Sequence, residues 1–400
     1  MIYISMQAEN KFSAENPRKT VNSLYIHIPF CAKKCIYCAF FSAPPSGNQI
    51  ELYCQALLNE LEMATETFKP KTIFIGGGTP SLLNTKQWKK LLQGFERLNL
   101  LGAEEFTIEC NPATVSDDKA RLWLDYGVNR ISIGVQSFDD DILKLLGRTH
   151  NKQTALNTYE TLRKIGFENI NIDLIFGAPG QTLDLWRKTI QEAFSLQTEH
   201  LSCYELTPEK DTEYFKSLNS GNYTVDEELV SAMYDELVEK AYENGIFRYE
   251  VSNFARDKAN DNNGIPSFAC KHNVNYWRGG WYYGAGASAS GFKDGIRTKN
   301  VSITDIYCQL LKSGKSPVEE IDKIPPLSRA GEIAAFGLRM DVGWGYEEFL
   351  NATGFDLRTH WQKEMVRLIG LGYATADEKS FRLTPIGLRF ADWAGELFIR

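Results

Sequence analysis

The stretch Leu24-Tyr-Ile-His-Ile-Pro-Phe-Cys-Ala-Lys-Lys-Cys-Ile-Tyr-Cys-Ala-Phe-Phe-Ser42 decides how the rest of the chain is read. It begins as an apolar, strand-like run, Leu24–Ile28. Pro29 ends that run, because proline has no N–H to give a sheet ladder. Cys31, Cys35 and Cys38 follow at C-x3-C-x2-C spacing in one short loop. Three thiolates so close together suit a soft metal centre. They fall one short of a four-ligand site, which structural zinc and electron-transfer clusters require. Phe40 stands where a nearby fourth cysteine would have completed the set. Two readings follow. One is structural zinc with a distant fourth ligand, for which Cys270 and His27 are the first candidates. The other is a [4Fe–4S] cluster whose fourth iron stays open to an exchangeable ligand.

Outward from this loop, the chain alternates strand and helix for about 230 residues. Apolar runs at Thr72–Ile75, Phe106–Cys110, Arg130–Val135, Asn171–Phe176 and His200–Glu205 read as buried strands. Helical spacing fills Ile50–Phe68, Asp117–Tyr126, Lys152–Ile165, Leu183–Leu196 and Val225–Asn244. Six such units in series, each strand near-continuously apolar, predict an α/β fold with a parallel sheet covered by helices. The cysteine loop, the loop Gly76-Gly-Gly-Thr-Pro-Ser81, Glu109, Gln136 and Glu205 all fall at or just after strand C-termini, and Asp173 lies inside its strand. In parallel α/β architectures that end of the sheet carries the site, so separate loops converge on one place.

The expected organisation has four parts: a polar leader over residues 1–22, a core over 23–255, an aromatic, Gly-rich segment over 256–300, and a mainly helical region over 301–400. That last region includes a hairpin at Tyr373–Ala376 and Phe381–Leu383. The 400 residues are 43% hydrophobic, enough for a large core, and their net charge of −7 argues against nucleic acid as the main partner. No apolar run reaches the roughly 18 residues of a membrane-spanning helix, and no signal peptide is evident. Eight cysteines with three clustered read as metal ligands and buried thiols in a reducing cytoplasm.

With Tyr37 just before its third cysteine, the loop resembles the C-x3-C-x-aromatic-C signature of the radical S-adenosylmethionine (SAM) superfamily. That resemblance implies a partial or elongated parallel (β/α) barrel with a smaller, mainly helical C-terminal domain. It also implies a [4Fe–4S] cluster on Cys31, Cys35 and Cys38, with SAM on the fourth iron and Tyr37 near the adenine. Gly77, Gly78 and Thr79 would then lie against the SAM methionine, and the order of Tyr25, Glu109, Gln136, Arg148 and Asp173 resembles the SAM-contacting residues of the coproporphyrinogen-oxidase-like branch. A lone histidine is usually structural, but His272-Asn-Val-Asn-Tyr-Trp277 resembles the H-N-x-x-Y-W motif of HemW-type heme chaperones. This implies heme as cargo, His272 as a candidate ligand to it, and acceptor hemoproteins, membrane-associated ones included, as partners. The oxygen-independent coproporphyrinogen III oxidase is the alternative. Phe40, where the oxidase has a further cysteine, and the short segment ahead of Tyr25 point toward the chaperone.

Overall fold

The computed structural model describes residues 21–64, 69–257 and 264–400. The leader therefore lies outside the described residues except for its last two, as do residues 65–68 at the expected end of the first helix.

Six parallel strands form the core: β1 (Ser23–Ile28), β2 (Thr72–Gly77), β3 (Glu105–Cys110), β4 (Arg130–Gln136), β5 (Ile170–Phe176) and β6 (His200–Glu205). They lie side by side in chain order. Between them run α1 (Gln49–Ala64), α2 (Thr85–Arg97), α3 (Asp117–Asp125), α4 (Asp140–Leu145), α5 (Lys152–Ile165) and α6 (Leu183–Ser195), followed by α7 (Glu213–Asn219) and α8 (Glu227–Glu243). Right-handed crossovers in sequential order put the covering helices on one face and curve the sheet into a partial barrel. Helix starts follow local chemistry. Asn84 and Gln87 form a reciprocal capping box at α2, while Asn151, Thr182 and Asp226 cap α5, α6 and α8.

The strands differ from the sequence reading in one instructive way. They are not apolar throughout but alternate with period two. Leu24, Ile26, Ile28, Ile73, Ile75, Phe106, Ile108, Ile131, Ile133, Ile172, Leu174 and Leu201 join Trp88, Trp123 and Trp186 in the core beneath the helices. The intervening positions, Ser23, Thr72, Glu105, Thr107, Arg130, Ser132, Asn171, His200 and Ser202, are also buried but polar. They face the inside of the partial barrel, where Ser23 pairs with Thr72, and Asn171 with Ser132, His200 and Ser202.

The sheet continues beyond both edges of this core. β7 (Phe247–Arg248) and β8 (Asn253–Ala255) extend it antiparallel past β6. On the other side β9 (Tyr282–Ala285) joins β1 in parallel, and β10 (Ser290–Lys293), β11 (Ile296–Asn300) and β12 (Val318–Lys323) follow antiparallel. These last three are strands in a region whose sequence read as glycine-rich and then helical. Glu60 of α1 ties this extension down. It accepts from Gly286 N–H, Asn300 Nδ2 and the Tyr307 hydroxyl, although burial pushes its carboxyl up to about 7.

Helix α9 (Lys271–Trp277) lies across the amino ends of the strands, and α10 (Thr304–Lys312) packs on α1. Cys270 contributes no side-chain cap to α9. The cap comes instead from Glu105, the first residue of β3, whose carboxylate accepts Lys271 N–H at 2.8 Å, His272 N–H at 2.9 Å and the Cys270 thiol at 3.4 Å. Beyond it, α11 (Pro326–Gly337), five shorter helices and a three-stranded antiparallel sheet surround a separate core of Trp344, Phe349, Trp361 and Phe381. That module meets the barrel through Arg278, which lies 4.6 Å above the Trp344 ring, and through the Arg248–Asp341 ion pair.

Glu105→Ala leaves two helix N–H groups and a thiol without a partner in a closed space. It should lower unfolding stability by about 3 kcal/mol, read as a lower urea midpoint with unchanged slope.

Candidate functional site

The cysteine loop is closed at its base and pinned at its tip. Cys31 N–H donates to Ala43 O at 3.1 Å and Ala43 N–H to Pro29 O at 3.0 Å. His27, inward-facing on β1, donates from Nε2 to Phe41 O at 2.9 Å while its Nδ1 accepts the Tyr25 hydroxyl at 3.0 Å. At the tip, Ile36 N–H reaches Leu146 O at 3.4 Å and Tyr214 N–H reaches Ile36 O at 2.9 Å. The loop is thus held between the end of α4 and the start of α7, with Ile36 and Tyr37 packed against Ile142, Leu146 and Tyr214. Both helices are short and were not legible as helices in the sequence.

At the carboxyl ends of the strands lies a cleft of about 480 Å³. Cys31, Cys35, Tyr37, Cys38, Gly77, Gly78, Thr79, Glu109, Gln136, Arg148 and Asp173 all line it. The three thiols are half-buried and free of disulfides. Cys31 Sγ lies 3.4 Å from Thr79 Oγ1. Arg148 donates from Nη1 to Cys35 Sγ at 3.4 Å and from Nη2 to Gly134 O at 2.7 Å, while its buried Nε has no partner.

The glycine loop is built for close approach between loops. Gly77 adopts φ +106°, and a Cβ there would come within 2.5 Å of the His27 ring. A Cβ on Gly78 would meet the backbone oxygens of Phe30 and Ile28 at 2.7 and 2.9 Å, so Gly78 lets this loop lie flat on the cysteine loop. Gly78 N–H and Thr79 N–H both donate into that loop at 2.8 Å. Gln136 adopts φ 69°, in the left-handed region, where β4 shifts register against β5. A non-glycine residue with strained backbone at the rim of a cleft is a frequent mark of function.

Two carboxyl groups share the floor. Burial and then the nearby Asp173 charge push Glu109 up to about 8, against a single hydrogen bond from Gly77 N–H at 3.2 Å. Burial also raises Asp173, opposed by Asn171, Ser132 and the charge of Arg130. Burial thus works against the charged form of both groups, but Asp173 has side-chain donors to oppose it and Glu109 a single backbone N–H.

Two expected site residues lie elsewhere. Tyr25 stands behind the cleft, oriented by His27, and is not part of its lining. His272 is at the amino ends of the strands, on α9. It is 1% exposed and stacks on Phe74, with Nδ1 bonded to Thr72 Oγ1 at 2.9 Å and Nε2 to the Tyr276 hydroxyl at 2.8 Å. Neither candidate for a distant fourth ligand is free either. His27 uses both ring nitrogens, and Cys270 donates to Glu105 at the far end of the barrel. The cleft also includes Lys33, Lys34, Tyr204 and Glu209, which the sequence reading passed over. Tyr204 could have been found, since it precedes Glu205 at a strand C-terminus.

The donor set suits a cluster. Among the described residues no three His, Cys, Asp or Glu side chains close on a single ion. A [4Fe–4S] cube asks each thiolate for its own iron, and a cationic donor already lies against the Cys35 sulfur.

Residues 25–193 match the radical SAM superfamily. Over 380 residues the chain is 36% identical to the "Heme chaperone HemW" of Lactococcus lactis, covering 94% of this chain and 97% of that protein. It is 39% identical over 281 residues to the protein of that name from Escherichia coli, covering 68% and 71%. In structure it resembles the coproporphyrinogen III oxidase HemN of Escherichia coli, a radical SAM enzyme, with a TM-score of 0.81 and 20% identity over 96% of this chain and 91% of that one. A fold of that type, the cysteine spacing and a relative matched along nearly its whole length agree: the chain belongs to the HemW family of heme chaperones within the radical SAM superfamily.

Proposed function

We propose that this protein holds a [4Fe–4S] cluster on Cys31, Cys35 and Cys38, binds SAM beside it, and carries heme to acceptor hemoproteins in the cytoplasm or at a membrane surface. The observation that carries the reading is the cleft, where three half-buried thiols share one wall with the Gly77–Thr79 backbone and two protonatable carboxyls. Bound there, the cluster would supply one electron to the SAM sulfonium. The protein's own part is recognition. Glu109 and Asp173 can accept from ribose hydroxyls, and Arg148 brings a guanidinium charge to the cleft wall for an anionic group. All eight cysteines are free thiols, in keeping with a reducing compartment, and no helix among the described residues is long and apolar enough to cross a membrane.

The fold shared with HemN keeps oxidative decarboxylation of coproporphyrinogen III as a second reading. Product analysis with that substrate separates the two, since the chaperone reading expects no decarboxylated porphyrinogen. The primary test is anaerobic reconstitution with iron and sulfide, followed by titration with SAM and with hemin and by transfer of bound heme to an apo-hemoprotein. Failure of hemin to bind would end the chaperone reading.

Three outcomes are expected. Cys31→Ala, Cys35→Ala and Cys38→Ala should each lose the cluster's broad absorbance and most of their iron, whereas Cys54→Ala and Cys203→Ala, at buried thiols under the helices, should keep both. His272→Ala, once shown to be folded and cluster-loaded, should keep the hemin spectrum of the parent, because both ring nitrogens already serve Thr72 and Tyr276; a changed Soret band would make His272 a ligand after all. The third outcome concerns pH. Glu109 binds its proton more tightly folded, at about 8, than unfolded, at 4.5. Between those values the native state holds more protons, so the stability of the ligand-free protein falls as pH rises. Glu109→Gln should flatten that part of the curve, measured by urea denaturation from about pH 5 to about pH 8.

A further inference from the structure

Asp173 enters the cleft from the middle of β5, and two donors fix its carboxylate: Asn171 Nδ2 at 2.7 Å and Ser132 Oγ at 3.0 Å. Behind them a line of bonds runs down the inner face of the sheet. The Asn171 amide must turn its NH2 toward the carboxylate, so Oδ1 points away and accepts Ser202 Oγ at 3.1 Å and His200 Nδ1 at 2.6 Å. His200 therefore carries its proton on Nδ1, and its Nε2 can only accept, from the Tyr249 hydroxyl at 2.9 Å. That hydroxyl, its one proton committed, accepts Cys270 N–H at 3.2 Å. Each link has only one possible polarity, and the line joins the residue ahead of α9 to the carboxylate in the cleft.

Asn171, His200 and Tyr249 are each at most 1% exposed, so water cannot stand in for a missing link. Their surroundings keep the polarity fixed. Arg130 lies alongside, near Glu105, Tyr249, Cys270 and Asp173, and its charge together with burial keeps His200 neutral. The second cleft carboxyl, Glu109, has no such line behind it and receives only Gly77 N–H. The two carboxyls are thus inequivalent: one is oriented by side-chain donors with a line of bonds behind them, the other by a single backbone N–H.

We propose that His200 and Tyr249 are positioning residues for the cleft ligand, acting through Asn171 to hold Asp173 in the orientation that accepts the ligand's hydroxyl donors. This rests on the reading that the cleft takes SAM. Neither residue lines the cleft, so neither touches the ligand.

The test is the dissociation constant of SAM, measured anaerobically on the full-length, cluster-reconstituted chain, with iron content and thermal midpoint checked for every variant. His200→Leu should weaken SAM about tenfold and Tyr249→Phe about threefold, as expected for one and then a more distant hydrogen bond lost. Both are then combined with Asp173→Asn. If they act through Asp173, each factor should shrink to about 1.5-fold or less in that background, whereas a general structural defect would add undiminished. His200→Leu and Tyr249→Phe that leave the affinity unchanged, or factors that persist with Asp173→Asn, overturn the proposal. Should His200→Leu fail to fold, Tyr249→Phe with its Asp173→Asn double variant decides alone. A parent protein that does not bind SAM overturns both this proposal and the reading beneath it. A parent that binds SAM and loses affinity on Asp173→Asn, beside silent relay variants, overturns only the positioning role.

Discussion

Everything in this protein depends on how one face of a parallel sheet is filled. The helices cover the other face with isoleucine, leucine and tryptophan, and packing there is simple. The inner face is too enclosed to leave polar groups to bulk water, yet its residues are Glu105, Arg130, Ser132, Asn171, Asp173 and His200. An isolated polar group in such a place costs several kcal/mol, so each must find a partner made by the fold itself. Ser132, Asn171, Asp173 and His200 find theirs along and across neighbouring strands, locked in register from Ser23 beside Thr72 to Asn171 beside His200. Glu105 finds its own at the start of α9, and Arg130 lies in the field of Glu105 and Asp173. A one-residue slip would turn this face into the helix layer and leave every one of those groups unpaired. The polar interior therefore fixes the register as firmly as the apolar side does.

The same constraint explains the aromatic motif around His272. A barrel open at its amino end would admit water to Arg130 and Glu105. Helix α9 closes that end, with its own N-terminus satisfied by Glu105 and its His272 ring laid on Phe74. Trp277 and Arg278 then reach the C-terminal module, Trp277 beside Phe336 and Arg278 over Trp344. The motif is a plug on one side and a joint on the other.

Much of this was legible in the sequence. The positions of the cysteine loop, the Gly76 loop, Glu109, Gln136, Glu205 and Asp173 relative to their strands were enough to predict one shared cleft, and the resemblance added Arg148 to it. Strand and helix limits such as Lys152–Ile165 and His200–Glu205 coincide with the observed elements because capping residues and strong periodicity mark them. Less visible was anything dependent on non-local partners. The short helices α4 and α7 carry few turns of periodic signal, and their role is to grip Ile36. Strands β10 to β12 are short or exposed and form only because β9 offers an edge. The sequestration of His272 is also non-local, since Thr72 and Tyr276 claim its two nitrogens and Thr72 is 200 residues away. Period two in the strands was obscured by inward-facing Tyr25, Phe74 and Ile175, which count as apolar and hide the alternation.

The outermost strand, β12, has every residue exposed, and its sequence Val318-Glu-Glu-Ile-Asp-Lys323 places three carboxylates and an ammonium along a backbone paired to β11 on one side only. A free edge of a large sheet is a template on which another chain's strand can add, and through which copies can polymerise. Here any approaching strand would have to align beside Glu319, Glu320 and Asp322, whose mutual repulsion it would strengthen if it were acidic. Such an edge guards the large sheet against strand addition, so that the barrel can stay open at its cleft without its own sheet becoming the seed of a fibre.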